Sequence, residues 1–349
     1  MSYNVENLFD TFHDEGKEDF TYLPKWVKKQ DPKIYEYCKT LSSRFYRDEC
    51  FDIDWTPEKL NKKLDSLTSV LQTVANGKGP DILAMQEVEN LNVLNHWMKR
   101  SLREMGYREV ILIEGPDSRG IDGAIISKLP LSGTPKYHDF LSKLSAEEAL
   151  SGFMSAQAEK LFVGGHGKAK RGILEARFDV GGGRDLTVLS NHWPSQANPS
   201  SERNEIAKLL SEVGTKAAAE GRMLISMGDY NTIDTDKPHG INDWVINKKR
   251  KVHFLDARAE HNLEAGAHSD ILPGSHWYKG EYAALDKILL LEPTAAEMCP
   301  DWSSFNVINE EFMMIKASEG PHKLRPKRFD FKTAEGFADH LPITLDLNL

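Results

Sequence analysis

The run Ser226-Met227-Gly228-Asp229-Tyr230-Asn231 follows the apolar stretch Met223-Leu224-Ile225, which reads as a buried strand. A strand ending in Gly-Asp-x-Asn delivers a carboxylate and a carboxamide, two residues apart, to one side of the chain. Such a pair can hold a water or a phosphate oxygen beside a metal ion. Gly, Asp and Asn are equally the residues of an ordinary turn, so the run alone leaves both readings open. Other strand-like segments carry similar residues at or near their ends: Asn4, Glu87, Asp122, His192, Asp286, and Asp339 with His340. Each has a plain structural explanation when taken singly. Glu87 suits the first turn of the helix that follows it, His192 a satisfied core position, Asp286 a surface ion pair. Together they collect where α/β layers commonly build sites. Carboxylates with an amide oxygen suit a hard cation, Mg²⁺ or Mn²⁺, with Ca²⁺ also admissible. Two histidines with acidic partners suit proton transfer or stabilisation of a charged pentavalent phosphorus.

The elements that must position these groups are legible as patterns. Ser2 to Phe9 alternates like a strand, which puts Asn4 and Glu6 on one side. Residues 10–55 lack periodicity and read as a long surface insertion with some short helix. Thr56-Pro57-Glu58 starts a helix, with Leu60, Leu64, Leu67, Leu71 and Val74 on one face. Residues 81–87 form a short buried strand ending in Glu87, and Leu91 to Met105 a second helix. Strands are expected at 107–113 and 121–127, then a second insertion at about 135–170. Residues 173–180 and 186–192 read as a hairpin, followed by a helix through Ile206 and Val213, then the Asp229 strand. Residues 232–284 read as loop-rich, and buried strands follow at 285–290 and 341–347. Hairpins mixed with strand–helix alternation point to a mixed sheet arrangement with helices outside.

The 349 residues can bury a large core, with 40% hydrophobic and 28% charged residues and a net charge of −9. That balance excludes a protein that coats DNA by bulk charge, though not a local basic groove. No apolar run approaches a membrane span, and no obligate protein partner is evident. Met1-Ser2-Tyr3-Asn4 has no signal-peptide pattern, but the immediate entry into a strand admits a trimmed leader. The compartment, cytoplasmic or exported, stays open. Cys38, Cys50 and Cys299 have no zinc spacing; Cys38 and Cys50 share one segment and either pair in an oxidising compartment or remain thiols. No Gly-x-x-x-x-Gly-Lys-Ser/Thr run and no Gly-x-Ser-x-Gly elbow is present.

The ordered set Tyr3-Asn4-Val5-Glu6-Asn7-Leu8, Met85-Gln86-Glu87, Arg119-Gly120-Ile121-Asp122, Ser190-Asn191-His192, Gly228-Asp229-Tyr230-Asn231, Leu285-Asp286-Lys287-Ile288-Leu289 and Ala338-Asp339-His340-Leu341-Pro342 resembles the endonuclease/exonuclease/phosphatase superfamily. The match keeps the family's order from residue 2 to residue 347, and Asn191-His192-Trp193-Pro194-Ser195 is similar to its bacterial nuclease-like branch. The resemblance implies one domain over 1–349, a DNase I-like four-layered α/β sandwich whose two mostly antiparallel sheets are flanked by helices. It implies Glu87, Asn4 and Asp339 at the divalent metal, with Glu6 matching a position that is acidic in some members. Asp229 would orient or deprotonate the attacking water and Asn231 hold a phosphate oxygen. His340, paired with Asp286, and His192, paired with Asp122, would contact the scissile phosphate. Asn191, Arg119 and Trp193 would face the substrate.

The chain departs from the 5-phosphatases, which carry a Trp-Cys-Asp-Arg style signature where Leu285-Asp286-Lys287-Ile288 stands here. Tyr3 replaces the Trp that opens the abasic-site enzymes. The leading expectation is a metal-dependent phosphodiesterase acting on nucleic acid. The alternatives are a phosphatase or sphingomyelinase-like lipid phosphodiesterase, and a catalytically silent binding module. Basic runs at Lys248-Lys249-Arg250-Lys251 and Lys323-Leu324-Arg325-Pro326-Lys327-Arg328, with Trp193, Trp277 and Tyr278 for base stacking, suit nucleic acid. They equally suit solvated loops. A lipid enzyme would use apolar loops such as Phe153-Met154 or Leu161-Phe162-Val163.

Overall fold

The computed structural model describes residues 1–139, 171–266 and 269–349. The chain enters on β1 (Ser2–Leu8). After residues 10–55 and the helix Pro57–Leu71 come β2 (Ile82–Val88) and the antiparallel pair β3 (Glu109–Leu112) and β4 (Asp122–Ser127). Then β5 (Lys136–His138), β6 (Ile173–Gly181) and β7 (Arg184–His192) lead to the helix Ser200–Ala219 and β8 (Met223–Asp229). The short β9 (Phe254–Asp256) and the hairpin β10 (His276–Tyr278) and β11 (Glu281–Ala283) precede β12 (Asp286–Leu291). The chain closes with β13 (Pro300–Val307), the hairpin β14 (Met314–Lys316) and β15 (Leu324–Pro326), and β16 (Ile343–Leu347).

Twelve of these strands form two six-stranded sheets, in the orders β13-β16-β1-β2-β4-β3 and β5-β6-β7-β8-β12-β9. Only the central pairs β1–β2 and β7–β8 are parallel, each joined through a helix as parallel neighbours require. The sheets pack face to face through Ala84 and Ile125, on the face from which Gln86 reaches Ser190, and through Ala176, Val188, Met227, Ile288 and Leu290 opposite. Leu60, Leu64, Leu67 and Leu71 of the Pro57–Leu71 helix cover the first sheet. Ile206, Leu210 and Val213 of the Ser200–Ala219 helix cover Leu189, Leu224 and Leu289 of the second. The result is the four-layered, DNase I-like sandwich expected from the sequence.

Two local expectations change, and one strand goes unread in the sequence. Residues 136–138 are a strand of the second sheet, not insertion; 140–170, with Phe153-Met154 and Leu161-Phe162-Val163, lie outside the described residues. The stretch 232–284 holds a helix at Ala257–Ala265 and the short strands β9, β10 and β11, so it is less loop-rich than its composition suggests. β13 gives no apolar run because it is an edge strand, buried only on alternate residues, and opens on Pro300.

Residues 10–55 do more than lie on the surface. Three short helices enclose a small core of Leu23, Ile34, Cys38 and Cys50, and Cys38 and Cys50 form a disulfide. The segment is tied to the sandwich by Tyr22 stacked on Phe9 at 4.2 Å and by Trp55 Nε1 donating to the Phe9 carbonyl at 3.1 Å. A core this small cannot offset its own chain entropy, so the cross-link carries much of its order. Cys38→Ser is expected to destabilise the segment by about 2–3 kcal/mol. Limited proteolysis should then cut within 10–55 first, and a reductant should reproduce the effect on the unaltered protein.

Candidate active site

Register brings the chemistry together. On the second sheet His192 of β7 stands opposite Asp229 of β8, and Asp229 stands opposite Asp286 of β12. Three adjacent strands therefore end on three functional side chains in one row. Gly228 permits this row. Its φ is +146°, and a Cβ there would sit 2.0 Å from the Asn191 carbonyl oxygen. Only glycine lets β7 and β8 approach this closely. The first sheet meets the row through Asn4, whose Nδ2 donates to Asp229 at 3.2 Å and to Glu87 at 3.4 Å.

The backbone is strained at these ends. Among the described residues, four of the nine non-glycine positions with positive φ are Glu6, Asn7, Glu87 and Asn231. The Glu6–Asn7 turn is a break in the β1–β2 register. It lets the Asn7 N–H donate to Glu87 Oε2 at 3.0 Å and the Glu6 N–H donate to Asn4 Oδ1 at 3.0 Å. Strict strand alternation would have put Asn4 and Glu6 on one side; the bulge separates their roles.

Asp229 is the centre. Its Oδ1 accepts the Asn231 N–H at 2.8 Å, and its Oδ2 accepts Asn231 Nδ2 at 3.1 Å as well as Asn4 Nδ2. Burial pushes its carboxyl up to about 7, against the pull of His340. His340 Nδ1 lies 2.7 Å from Asp286 Oδ2, and its Nε2 faces Asp229 Oδ2 at 3.7 Å. Ser275 Oγ donates to the same Asp286 oxygen at 2.5 Å. Burial disfavours the His340 cation, but the Asp286 and Asp229 carboxylates outweigh it and hold the imidazole well above its ordinary range.

Other sequence-derived residues are placed differently. His192 makes no contact with Asp122: its Nε2 accepts from Arg171 Nη1 at 2.8 Å, while Asp122 Oδ1 accepts the Gly115 N–H at 2.9 Å. Burial, with Arg171 and Arg119 nearby, keeps His192 neutral, far below its usual value. Asn231 spends both Nδ2 protons on Asp229 and the Trp193 carbonyl, so it steadies the carboxylate rather than offering a free donor to phosphate. Asn191 and Trp193 are wholly buried and cannot touch substrate. Asn191 is held by Ser226 Oγ and accepts from Trp193 Nε1, and the Trp193 ring packs edge-on against Tyr230 at 4.8 Å. Trp193→Ala should accordingly lower unfolding free energy by about 3–5 kcal/mol in denaturant titration. Arg119 keeps a half-exposed guanidinium, 3.7 Å from Asp117.

Four residues escaped the sequence reading. Arg171 clamps Asp117 at 3.1 Å and caps His192. The His276 ring lies 4.6 Å from that of His340. Arg328 donates through Nε to Glu6 Oε1 and approaches Asp339 Oδ2 at 3.9 Å. Lys63 is wholly buried beneath Phe329 and Phe331. Arg328 ends a basic run that was visible as charge, but nothing local marks it as the member that turns inward. In the other basic run Arg250 packs over Trp244 and bonds to Ser211, while Lys248, Lys249 and Lys251 are exposed. Of the proposed stacking rings only Tyr278 is open; Arg325 covers Trp277. Arg203 is buried too, holding Asp236 at 2.8 Å and the carbonyls of Pro194, Ser195 and Asn198.

The oxygen donors suit a small divalent cation with few protein ligands. Glu87 is one-fifth exposed, and its Oε1 has only the long Asn4 contact at 3.4 Å and His192 Nε2 at 3.7 Å. Among the described residues no three acidic, His or Cys side chains enclose an ion by themselves. That pattern fits Mg²⁺, which takes one or two carboxylates and completes its shell with water and phosphate oxygens. Asn4 Oδ1 and Glu6 Oε1 already accept hydrogen bonds, while Glu6 Oε2 is buried without a partner.

A family model described as the Endonuclease/Exonuclease/phosphatase family matches residues 46–349. Among solved structures, the chain is similar to a humanized D. rerio TDP2 carrying 14 mutations, at 16% identity over 84% of this chain and 93% of that one, TM-score 0.48. It is similar to the human Nocturnin catalytic domain with bound sulfate anion, at 15% identity over 77% and 82%, TM-score 0.44. It is also similar to an endonuclease/exonuclease/phosphatase family protein from Bacteroides thetaiotaomicron, at 14% identity over 81% and 88%, TM-score 0.46. No curated protein matches the sequence.

Proposed function

The chain belongs to the endonuclease/exonuclease/phosphatase family, whose members are hydrolases of phosphoesters, and on that premise we propose that it is a divalent-metal-dependent phosphodiesterase acting on nucleic acid. The observation that carries the reading is Asp229, buried, oriented by Asn4 and Asn231, and facing the His340–Asp286 pair across 3.7 Å. A water against Asp229 Oδ2 loses its proton to that carboxylate as its oxygen attacks phosphorus in line; the opposite ester P–O bond breaks, and the leaving oxygen departs with a proton from solvent. His340, kept cationic by Asp286, donates to the non-bridging oxygen on which charge develops. Asn4 and Asn231 hold the Asp229 carboxylate so that no reorganisation is needed at the moment of attack. Glu87 would hold Mg²⁺ or Mn²⁺, which would supply Lewis-acid neutralisation of phosphate charge.

A phosphodiester with flanking anionic groups is supported by Arg119 and Arg171 along the wall beside His192. The exposed Phe45 and Tyr46 in the first insertion and the exposed Tyr278 offer rings for bases. The Cys38–Cys50 disulfide supports work in an oxidising compartment. The reading takes 1–349 as one catalytic domain. No helix among the described residues is long and apolar enough to cross a membrane. A lipid phosphodiester is the second reading. The exposed Tyr278, Phe312, Ile315 and Leu324 on and beside the β10–β11 and β14–β15 hairpins favour it.

Plasmid DNA, RNA, a phosphomonoester and sphingomyelin, each with Mg²⁺, Mn²⁺, Ca²⁺ or EDTA, decide between them. Cleavage of nucleic acid that stops in EDTA is expected. Turnover of lipid alone would install the second reading, and hydrolysis indifferent to EDTA would remove the metal. The acid limb of kcat/KM should lie near pH 7. Asp229 must be ionised to accept a proton, and burial has raised it to about 7, so the rate rises as pH rises through that value. The alkaline limb reports loss of the His340 proton. Asp286→Asn should move that limb to lower pH, because Asp286 is the main group holding the proton on.

A further inference from the structure

We propose that Arg328 is a resident cation of this site, occupying the space between Glu6 and Asp339 and limiting the protein to a single divalent ion at Glu87. The proposal rests on the reading of Glu87 as a metal ligand and goes beyond it.

Glu6 is almost wholly buried, and its one bonded carboxylate oxygen accepts from Arg328 Nε. Its other oxygen is buried with no partner. The same Arg328 Nε lies 3.9 Å from Asp339 Oδ2, so one guanidinium stands against two carboxylates. Without it those carboxylates would be a like-charged pair at the edge of the metal site, where a second cation would be drawn in. Burying Glu6 as an unpaired carboxylate would be expensive, and Arg328 offsets that cost.

A second cation sits below. Lys63 on the Pro57–Leu71 helix is wholly buried, and its ammonium makes no hydrogen bond. It lies 4.4 Å from the Phe329 ring and 5.0 Å from the Phe331 ring, the residues that follow Arg328 in the chain. The segment 328–331 thus brings one cation to the acidic pair from the cleft side and cages another behind it. Arg328, with Lys63 acting at longer range, opposes the Glu6 and Asp339 charges and so weakens the attraction for a divalent ion there. Glu87 takes no hydrogen bond from a cation: it receives neutral N–H donors from Asn4 and Asn7, with the neutral His192 ring 3.7 Å away and the Arg119 charge acting at longer range. Arg328 is half-exposed, so its guanidinium also faces the cleft, where a substrate phosphate can use it as a fixed cation.

Mn²⁺ titration of the full chain, followed by calorimetry and by the electron-paramagnetic signal of free Mn²⁺, tests this without substrate. One ion per chain is expected for the unaltered protein, none for Glu87→Gln, two for Arg328→Gln and one for Arg328→Lys. Two ions or none in the unaltered protein, or one in folded Arg328→Gln, overturns the proposal. Should Arg328→Gln not fold, anomalous diffraction from Mn²⁺-soaked crystals of the unaltered protein decides. A peak between Glu6 and Asp339 overturns the proposal; a lone peak at Glu87 with Arg328 in place upholds it. The functional reading fails separately, if one ion binds and no phosphoester is hydrolysed.

Discussion

Asp229→Asn should lower kcat by about 10²–10⁴, the range for loss of a positioned general base. The substitution is close to isosteric, so the loss is chemical more than steric. The native carboxylate uses both oxygens as acceptors, from the Asn231 N–H on one side and from Asn4 and Asn231 amides on the other. An amide at this position accepts with one atom only and cannot take a proton from water. Two signatures separate this from mere damage. The acid limb near pH 7 should vanish with the group that titrates there, and the melting temperature should move little, since relieving a buried carboxylate offsets the lost acceptor. A variant that keeps its acid limb, or whose kcat falls less than tenfold, would reassign the base.

His340→Ala carries the second large expectation, a loss of about 10²–10³ in kcat, typical of removing one donor to a developing oxyanion. Asp286→Asn should cost less alone, because the imidazole remains and only its charge and orientation weaken. The two should be far from additive, since Asp286 acts through His340 at 2.7 Å. Additive losses in the double variant would mean that Asp286 does something independent. His192→Ala is a useful contrast. Its Nε2 is already engaged by Arg171, and the ring is neutral. If His192 acts by positioning Arg171, then Arg171→Ala and His192→Ala should show similar losses.

The placement of Arg328 bears on how these variants are read. With Glu6 and Asp339 neutralised from within, the divalent ion depends on Glu87. The pH dependence of the unaltered protein then carries a Glu6 contribution as well, since burial holds that carboxyl up at about 8.

The row His192–Asp229–Asp286 was legible because each residue ends an apolar run, and burial alone dictates that such runs become central strands. The family order of short motifs named the same residues and the two-sheet sandwich. What the runs could not carry is direction. Asn191 and Trp193 sit beside His192 in sequence but point into the core between β7 and the Ser200–Ala219 helix. Glu6 leaves the side that alternation assigns it, because the chain turns through two positive-φ residues there. Cys38 and Cys50 could be pair or idle thiols until three helices folded around them.

By itself, then, the sequence determined the elements, their layering and the carboxylates and imidazoles at the strand ends, since hydrophobic periodicity and turn residues are local properties. Only the tertiary structure decided the partners. Arg171 and Arg328 come from segments whose composition resembles any solvated loop. Their pairing with His192 and Glu6 follows from desolvation: a buried carboxylate or ring nitrogen takes whichever donor the packed chain delivers.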